Sequence, residues 1–106
     1  MTIPAGDAAV VDDIAASRYV LREGGSEAEL IYVLDGDRLL LVHTEVPEAW
    51  GGHGIGGRLV RTALARAQAD HLTVVPWCPF ARRWLQEHPA EASAVTIDWE
   101  TPRPPG

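Results

Sequence analysis

The sequence predicts an α/β (α+β) domain in which helices flank a mostly antiparallel central sheet. Runs of β-forming residues joined by short turns occupy the first half of the chain. A glycine-rich stretch and an amphipathic run separate them from a further strand-like segment. Because 106 residues suffice for one hydrophobic core, we predict a single domain over 1–106, with its core at about 8–90 and a C-terminal tail at about 100–106.

The first half is predicted to form an antiparallel meander. The second run is rich in β-forming side chains, and Gly24-Gly25-Ser26 follows it as a turn. Asp35-Gly36-Asp37 is a strong hairpin signal after the next run. The predicted strands, beginning with a short edge strand, are residues 8–12, 18–22, 28–34 and 38–46.

Both faces of the run 38–46 are largely apolar. A strand of this kind is expected in the middle of a sheet that has helices on both sides. Strict alternation places Leu39, Leu41, His43 and Glu45 on one face and Leu40, Val42, Thr44 and Val46 on the other.

Helices and strands alternate in the second half. Apolar side chains recur at helical spacing over residues 55–69, and a strand follows over 72–76, where Pro76 ends it. A second helix starts near Pro79, because proline suits a first helical turn, and stops before Pro89. Residues 95–99 alternate like a strand that adds to a sheet edge.

The segment Gly51-Gly52-His53-Gly54-Ile55-Gly56-Gly57 has five residues without a Cβ, just where a helix begins. Such a turn brings several backbone N–H groups around one point, and the helix start adds unsatisfied donors and the positive end of its dipole. The arrangement favours an anion such as a phosphate. The alternative is that these glycines only make a tight connection.

Two common phosphate motifs do not fit this turn. A P-loop needs Gly-Lys-Ser/Thr where this chain has Gly56-Gly57-Arg58-Leu59. The spacing of Gly52, Gly54 and Gly57 formally matches a dinucleotide fingerprint, but the next strand ends in Pro76-Trp77 with no carboxylate to bind a ribose.

The segments Thr44-Glu45-Val46-Pro47, Gly54-Ile55-Gly56, Val75-Pro76-Trp77-Cys78-Pro79-Phe80 and His88-Pro89 resemble, in order, those of the small single-domain GNAT-like N-acetyltransferases. The resemblance implies a GNAT-like fold, acetyl-CoA or coenzyme A as co-substrate, and an amine acceptor, either a small molecule or a protein. The first position of the family's Arg/Gln-x-x-Gly-x-Gly/Ala motif falls on Gly51, so backbone donors would hold the pyrophosphate. The implied coenzyme A contacts are Val46, Gly51, Gly52, His53, Gly54, Ile55, Gly56 and Gly57.

Acyl transfer to an amine needs a base for the amine and a proton for the leaving thiolate. His43, Glu45 and Glu48 are candidate bases; the plainer interpretation of His43 is a half-buried structural histidine. Cys78 follows a strand end and precedes a helix whose positive end would favour a thiolate. It would accept the acetyl group, line the thiol site, or serve only as a small buried hydrophobe.

Charge and composition narrow the range of partners. A net charge of −6 without a lysine block argues against nucleic acid, and an acidic surface suits a cationic amine. No apolar run approaches a membrane span and no signal peptide is evident, so we expect no membrane partner and a cytoplasmic location. The four histidines and one cysteine lack metal-ligand spacing, so no metal is expected.

The sequence is consistent with three functions. The first is an acetyl-CoA-dependent N-acyltransferase working through a ternary complex. The second is a non-catalytic module that binds coenzyme A or a protein, because so short a chain leaves little material for an acceptor pocket. The third is a thiol protein that uses Cys78. The sequence does not indicate an oligomeric state.

Overall fold

The computed structural model describes residues 2–105, which form one mixed sheet with helices, as the predicted α/β class requires. The six strands lie in chain order across the sheet. They are β1 (Val11–Asp13), β2 (Arg18–Glu23), β3 (Ser26–Asp35), β4 (Arg38–Glu45), β5 (Thr73–Pro76) and β6 (Thr96–Ile97), and the helices are α1 (Ile55–Asp70), α2 (Pro79–Glu87) and α3 (Pro89–Ala92).

Strands β1 to β4 form the predicted antiparallel meander, and β5 and β6 then add in parallel. The structure differs from the prediction in two segments. The first strand begins at Val11 rather than at residue 8, and a short 3-10 helix, Glu48–Trp50, precedes the glycine turn. The alternating residues near the C-terminus do extend the sheet edge, as β6.

The expectation of helices on both sides of the sheet is wrong. One continuous buried cluster contains Leu59 of α1, Leu85 of α2 and Leu41 of β4, so both helices cover the same face. The order β4-β5-β6 explains this arrangement, because two successive right-handed crossovers in the same direction place their helices on one side. Among residues 2–105 no helix covers the second face, here called the open face.

The strict alternation predicted along β4 is also wrong, because the strand contains a bulge. Ile31 of β3 lies opposite His43, yet the next residue, Tyr32, lies opposite Leu41, which leaves Val42 as the extra residue. The bulge reverses the side-chain phase. His43 and Glu45 therefore point to the open face, while Thr44 points to the helix-covered face with Leu39 and Leu41.

A polar cluster joins the edge of the sheet to α1. The Tyr32 hydroxyl donates to Asp12 at 2.7 Å, and Arg66 of α1 donates to both groups at 3.1 Å. The neighbouring Tyr19 ring packs on Tyr32 at a centroid distance of 4.9 Å. Its buried hydroxyl has no hydrogen-bond partner among residues 2–105.

Replacing Tyr19 by phenylalanine is expected to raise the free energy of unfolding by about 1 kcal/mol, because an unpaired buried hydroxyl is costly. Tyr32→Phe is the matched control and should lower it by a similar amount, since that hydroxyl is paired. Urea denaturation measures both; a loss of stability in Tyr19→Phe would contradict the assignment.

Burial raises the pKa of the Tyr19 phenol to about 12. The folded state therefore favours the protonated phenol, so this stabilisation is complete below the unfolded pKa and disappears as pH rises through about 12. Between pH ~10 and ~12 the wild-type protein is expected to lose stability more steeply than Tyr19→Phe.

No helix within residues 2–105 has both the length and the apolar character needed to cross a bilayer.

Candidate functional site

Strands β4 and β5 separate in the middle of the sheet. Their pairing ends where Leu41 lies opposite Pro76, and the last backbone contact is the Cys78 N–H donating to the Leu41 carbonyl at 2.8 Å. Strand β4 continues to Glu45. Its final residues therefore have no strand partner on the β5 side in the described part of the chain, which leaves a wedge-shaped gap.

The glycine turn connects the end of β4 to α1, and Trp50 anchors it. Trp50 is fully buried, and its indole N–H donates to the Thr2 carbonyl at 3.1 Å. Gly54 is the N-cap of α1 and adopts a left-handed conformation (φ +71), which favours glycine. No side chain caps this helix start among residues 2–105, so its first backbone N–H groups are available to an anion.

A cavity of about 450 Å³ extends from this helix start along α1. Seven of the eight residues predicted to contact coenzyme A line this cavity. Six of them belong to the glycine segment, and the seventh is Val46, just after β4. His53 is exposed at the tip of the turn and is not part of the lining. The lining residues are Val46, Trp50, Gly51, Gly52, Gly54, Ile55, Gly56, Gly57, Arg61, Phe80, Trp84 and His88.

Two glycines of α1 let α2 approach closely. A Cβ at Gly56 would lie 2.5 Å from the Phe80 ring, and one at Gly57 would lie 2.6 Å from Trp84 Nε1. Gly56 and Gly57 therefore serve helix contact, as the tight-connection alternative has it, and anion binding at the helix start stays a prediction.

The far wall of the cavity is aromatic and cationic. The Arg61 guanidinium lies 5.1 Å from the centroid of the Trp84 ring, and the His88 ring stacks on Trp84 at 4.0 Å. Arg61 also pairs with Glu91 at 2.7 Å. Hydrogen bonding between the two side chains lowers the pKa of Glu91 and raises that of Arg61, so both are charged.

Cys78 lies beside the gap on the helix-covered face. Its side chain is buried, at 2% exposure, and Sγ is 3.2 Å from the Thr44 hydroxyl. Cys78 is also the N-cap residue of α2, so the positive end of a nine-residue helix is adjacent to the thiol.

His43 and Glu45 lie on the open face, so β4 separates them from Cys78. His43 Nε2 is 2.6 Å from Glu45 Oε2, and both side chains are exposed. A carboxylate only accepts hydrogen bonds, so Nε2 carries the proton and Nδ1 of a neutral ring is free to take one. Glu48, the remaining candidate base, starts the 3-10 helix before the turn and does not line the cavity.

Sequence reasoning missed Thr44, Arg61 and the stacked pair of Trp84 and His88 as site residues. Only Arg61 could have been inferred from the sequence, because it lies four residues after Gly57 and so shares its helix face. Nothing in the sequence indicated that α2 would bring Trp84 to that position. Among residues 2–105 no group of three metal-ligating side chains gathers at any point.

Comparison with known proteins agrees with this architecture. Residues 18–95 match the family model of the GCN5-related N-acetyl-transferases. The protein NATD1 of Gallus gallus is 31% identical over 83 residues, covering 76% of each chain. NATD1 of Homo sapiens is also 31% identical over 83 residues, covering 76% of this chain and 74% of the human protein.

A solved structure shares the fold. The solution structure of a GCN5-like protein from Staphylococcus aureus superimposes with a TM-score of 0.68 over 91% of this chain and 95% of that one, at 18% identity. The family model and the NATD1 relatives confirm the family resemblance found in the sequence, and the solved structure confirms the fold. The chain belongs to the GCN5-related N-acetyltransferase family.

Proposed function

We propose that this protein binds acetyl-CoA and transfers its acetyl group to an amine. The family supports acyl transfer in general. The observation that supports the proposal further is a cavity that extends from an uncapped helix start to Val46, the residue that follows the unpaired end of β4.

The residues around the cavity suit the successive parts of acetyl-CoA. Backbone N–H groups at Ile55, Gly56 and Gly57 would bind the pyrophosphate, because they are aligned donors at the positive end of α1. Val46 would contact the pantetheine arm, whose amides match the unpaired edge of β4. The thioester supplies an activated acetyl group at the gap, near Cys78.

The amine would approach from the open face. His43 points to that face and has a free acceptor at Nδ1, while Glu45 orients the ring through Nε2. The ammonium form of the acceptor gives its proton to this ring, which leaves the nitrogen lone pair free to attack the carbonyl carbon. Bond formation from nitrogen to carbon is then balanced by cleavage of the carbon–sulfur bond, and the second proton that the nitrogen loses on becoming an amide passes to the departing thiolate.

The departing thiolate needs a proton or a strong hydrogen bond. Thr44 and Cys78 lie on the helix-covered face, and either side chain donates to a neighbouring thiolate. The amine and acetyl-CoA would reach the gap from different faces of β4, so the two reactants can meet there directly. Transfer in this arrangement needs no covalent acetyl-cysteine.

Calorimetric titration with acetyl-CoA, and with acetylpantetheine as the control that lacks the nucleotide, tests the binding site. We expect micromolar affinity for acetyl-CoA and a loss of about 100-fold for acetylpantetheine, since anchoring at the helix start contributes most of the binding. Equal affinities would show that the glycine turn does not hold the pyrophosphate. Absence of binding at millimolar acetyl-CoA would refute the proposed function.

Cys78→Ala is expected to lower turnover only about tenfold, less than the ~10²–10⁴ typical of an essential acid or base, because Thr44 still donates. Acetyl-CoA affinity should stay within about threefold. Steady-state kinetics and calorimetry measure the two quantities, and Thr44→Val is the matched second variant. Complete loss of turnover together with loss of an acetylated protein intermediate in mass spectrometry would instead favour covalent transfer through Cys78.

A non-catalytic module that binds coenzyme A is the second candidate. The observation that favours it is the open face, where His43 and Glu45 are 54% and 67% exposed and no helix forms an acceptor pocket within residues 2–105. Saturable acetyl-CoA binding without acetylation of any amine in a broad screen would support this candidate. Chemistry of Cys78 with external thiols is less favoured, because the side chain is buried.

A further inference from the structure

The wall formed by Arg61, Trp84 and His88 contains a donor that the protein leaves unused. Trp84 is 8% exposed, yet its indole N–H donates to no atom of residues 2–105. Nε1 lies against Gly57 in the first turn of α1, close enough that a Cβ there would be 2.6 Å away. An indole nitrogen only donates, and Trp84 lines the cavity, so this unused N–H is available to an acceptor on a bound ligand.

The position of this donor extends the helix-start anion site along α1. Gly54, Gly57 and Arg61 follow one another on one side of the helix, and all three line the cavity. Arg61 is seven residues past the N-cap, about 10 Å along the axis at a rise of ~1.5 Å per residue. Helical side chains lean toward the N-terminus, and the guanidinium accordingly lies over Trp84, nearer the helix start.

Arg61 is held by a partner that a stronger anion can replace. Its ion pair with Glu91 is exposed, at 52% and 39% for the two side chains. Exposed pairs of this kind contribute little to stability. A phosphate dianion offers the planar guanidinium more charge and more acceptor oxygens than one carboxylate.

We propose that Arg61 binds the ribose 3′-phosphate of coenzyme A, while the Trp84 indole N–H donates to the pyrophosphate and His88 buttresses the indole ring. This inference rests on the proposed function and assigns contacts beyond the glycine turn. Coenzyme A carries its second phosphate group on the sugar next to the pyrophosphate, so anchoring the pyrophosphate at the first turn brings the 3′-phosphate alongside the helix. Arg61 thereby supplies the cationic contact that Gly51 has no side chain to make.

Coenzyme A and 3′-dephospho-coenzyme A differ only in this phosphate and are the probes for the test. By calorimetry, wild-type protein is expected to bind coenzyme A about tenfold more tightly than the dephospho form. Arg61→Gln should weaken coenzyme A binding about tenfold and leave the dephospho form unchanged, which brings the ratio close to one. Glu91→Gln removes the competing carboxylate and should tighten coenzyme A binding about threefold.

Arg83→Gln is the matched control, because Arg83 lies on α2, is exposed, and has no ion pair among residues 2–105. It removes the same charge and should leave the ratio of the two affinities unchanged. Equal wild-type affinities for the two probes, or an equal loss for both in Arg61→Gln, would overturn the 3′-phosphate assignment while the proposed function stands. If wild-type protein binds neither probe, both the assignment and the proposed function fail.

Discussion

Replacing His43 by glutamine is expected to lower kcat for acetyl transfer by about 100-fold at neutral pH, the lower end of the range for loss of a general base. Glutamine keeps the size and hydrogen-bonding ability of the side chain but cannot take a proton. Affinity for acetyl-CoA should stay within about twofold, because His43 points to the open face and the cavity lies on the other side of β4.

Steady-state kinetics with a reactive amine, together with calorimetry, checks both halves of this expectation. Glu45→Gln should have a smaller effect, since that carboxylate orients the ring and does not take the proton itself. His71→Asn is a suitable control, because His71 is exposed at the far end of α1 and asparagine tolerates its left-handed backbone (φ +56). A kcat for His43→Gln within threefold of wild type would rule out His43 as the base.

Substituting Gly57 by valine is expected to lower the free energy of unfolding by about 3 kcal/mol, the upper end of the cost of overpacking. Within an exposed helix, replacing glycine normally gains stability, by up to ~1 kcal/mol for alanine. Here the new side chain would collide with Trp84, whose ring is buried between α1 and α2 and cannot easily move. The destabilisation from this collision should therefore exceed the stability gained from the higher helix propensity of valine over glycine.

Urea denaturation of a double-mutant cycle tests this contact. Trp84→Leu makes room beside residue 57, so the double variant should be more stable than the two single changes predict by addition, by at least ~1 kcal/mol. Gly6→Val is the control, because the Gly6 backbone does not have a positive φ and a new Cβ there would meet no heavy atom within 4 Å. Strict additivity in the cycle would show that helix contact does not require Gly57.

The elements themselves could be predicted from local chemistry. Asp35-Gly36-Asp37 fixed a hairpin because glycine supplies the positive φ of its turn, which is +59 at Gly36. Pro79 and Pro89 fixed the limits of α2 within one residue, since proline suits a first helical turn and cannot continue a preceding helix. The glycine turn was identified for the same reason, from residues whose backbone preference is strong.

Several features of the site could not be predicted because they depend on residues far apart in the chain. The bulge at Val42 arises in the pairing of β4 with β3. It decides that Thr44 shares the face of Leu39 and Leu41 while His43 points away from it, the reverse of what alternation predicts. The meeting of Trp84 with Gly57 depends on the crossing of α1 and α2. Neither event leaves a periodic trace in the sequence.

The sequence by itself determined the order and type of the main elements, the position of the glycine turn and the family. Turn formation, helix limits and strand preference are local properties of a few neighbouring residues, so they can be inferred without knowledge of the fold. Only the tertiary structure decided that both helices share one face, that Cys78 and His43 lie on opposite sides of β4, and that Arg61 and Trp84 line the cavity. These features follow from strand order, register and helix contact, whose energies depend on residues that the chain brings together only when it folds.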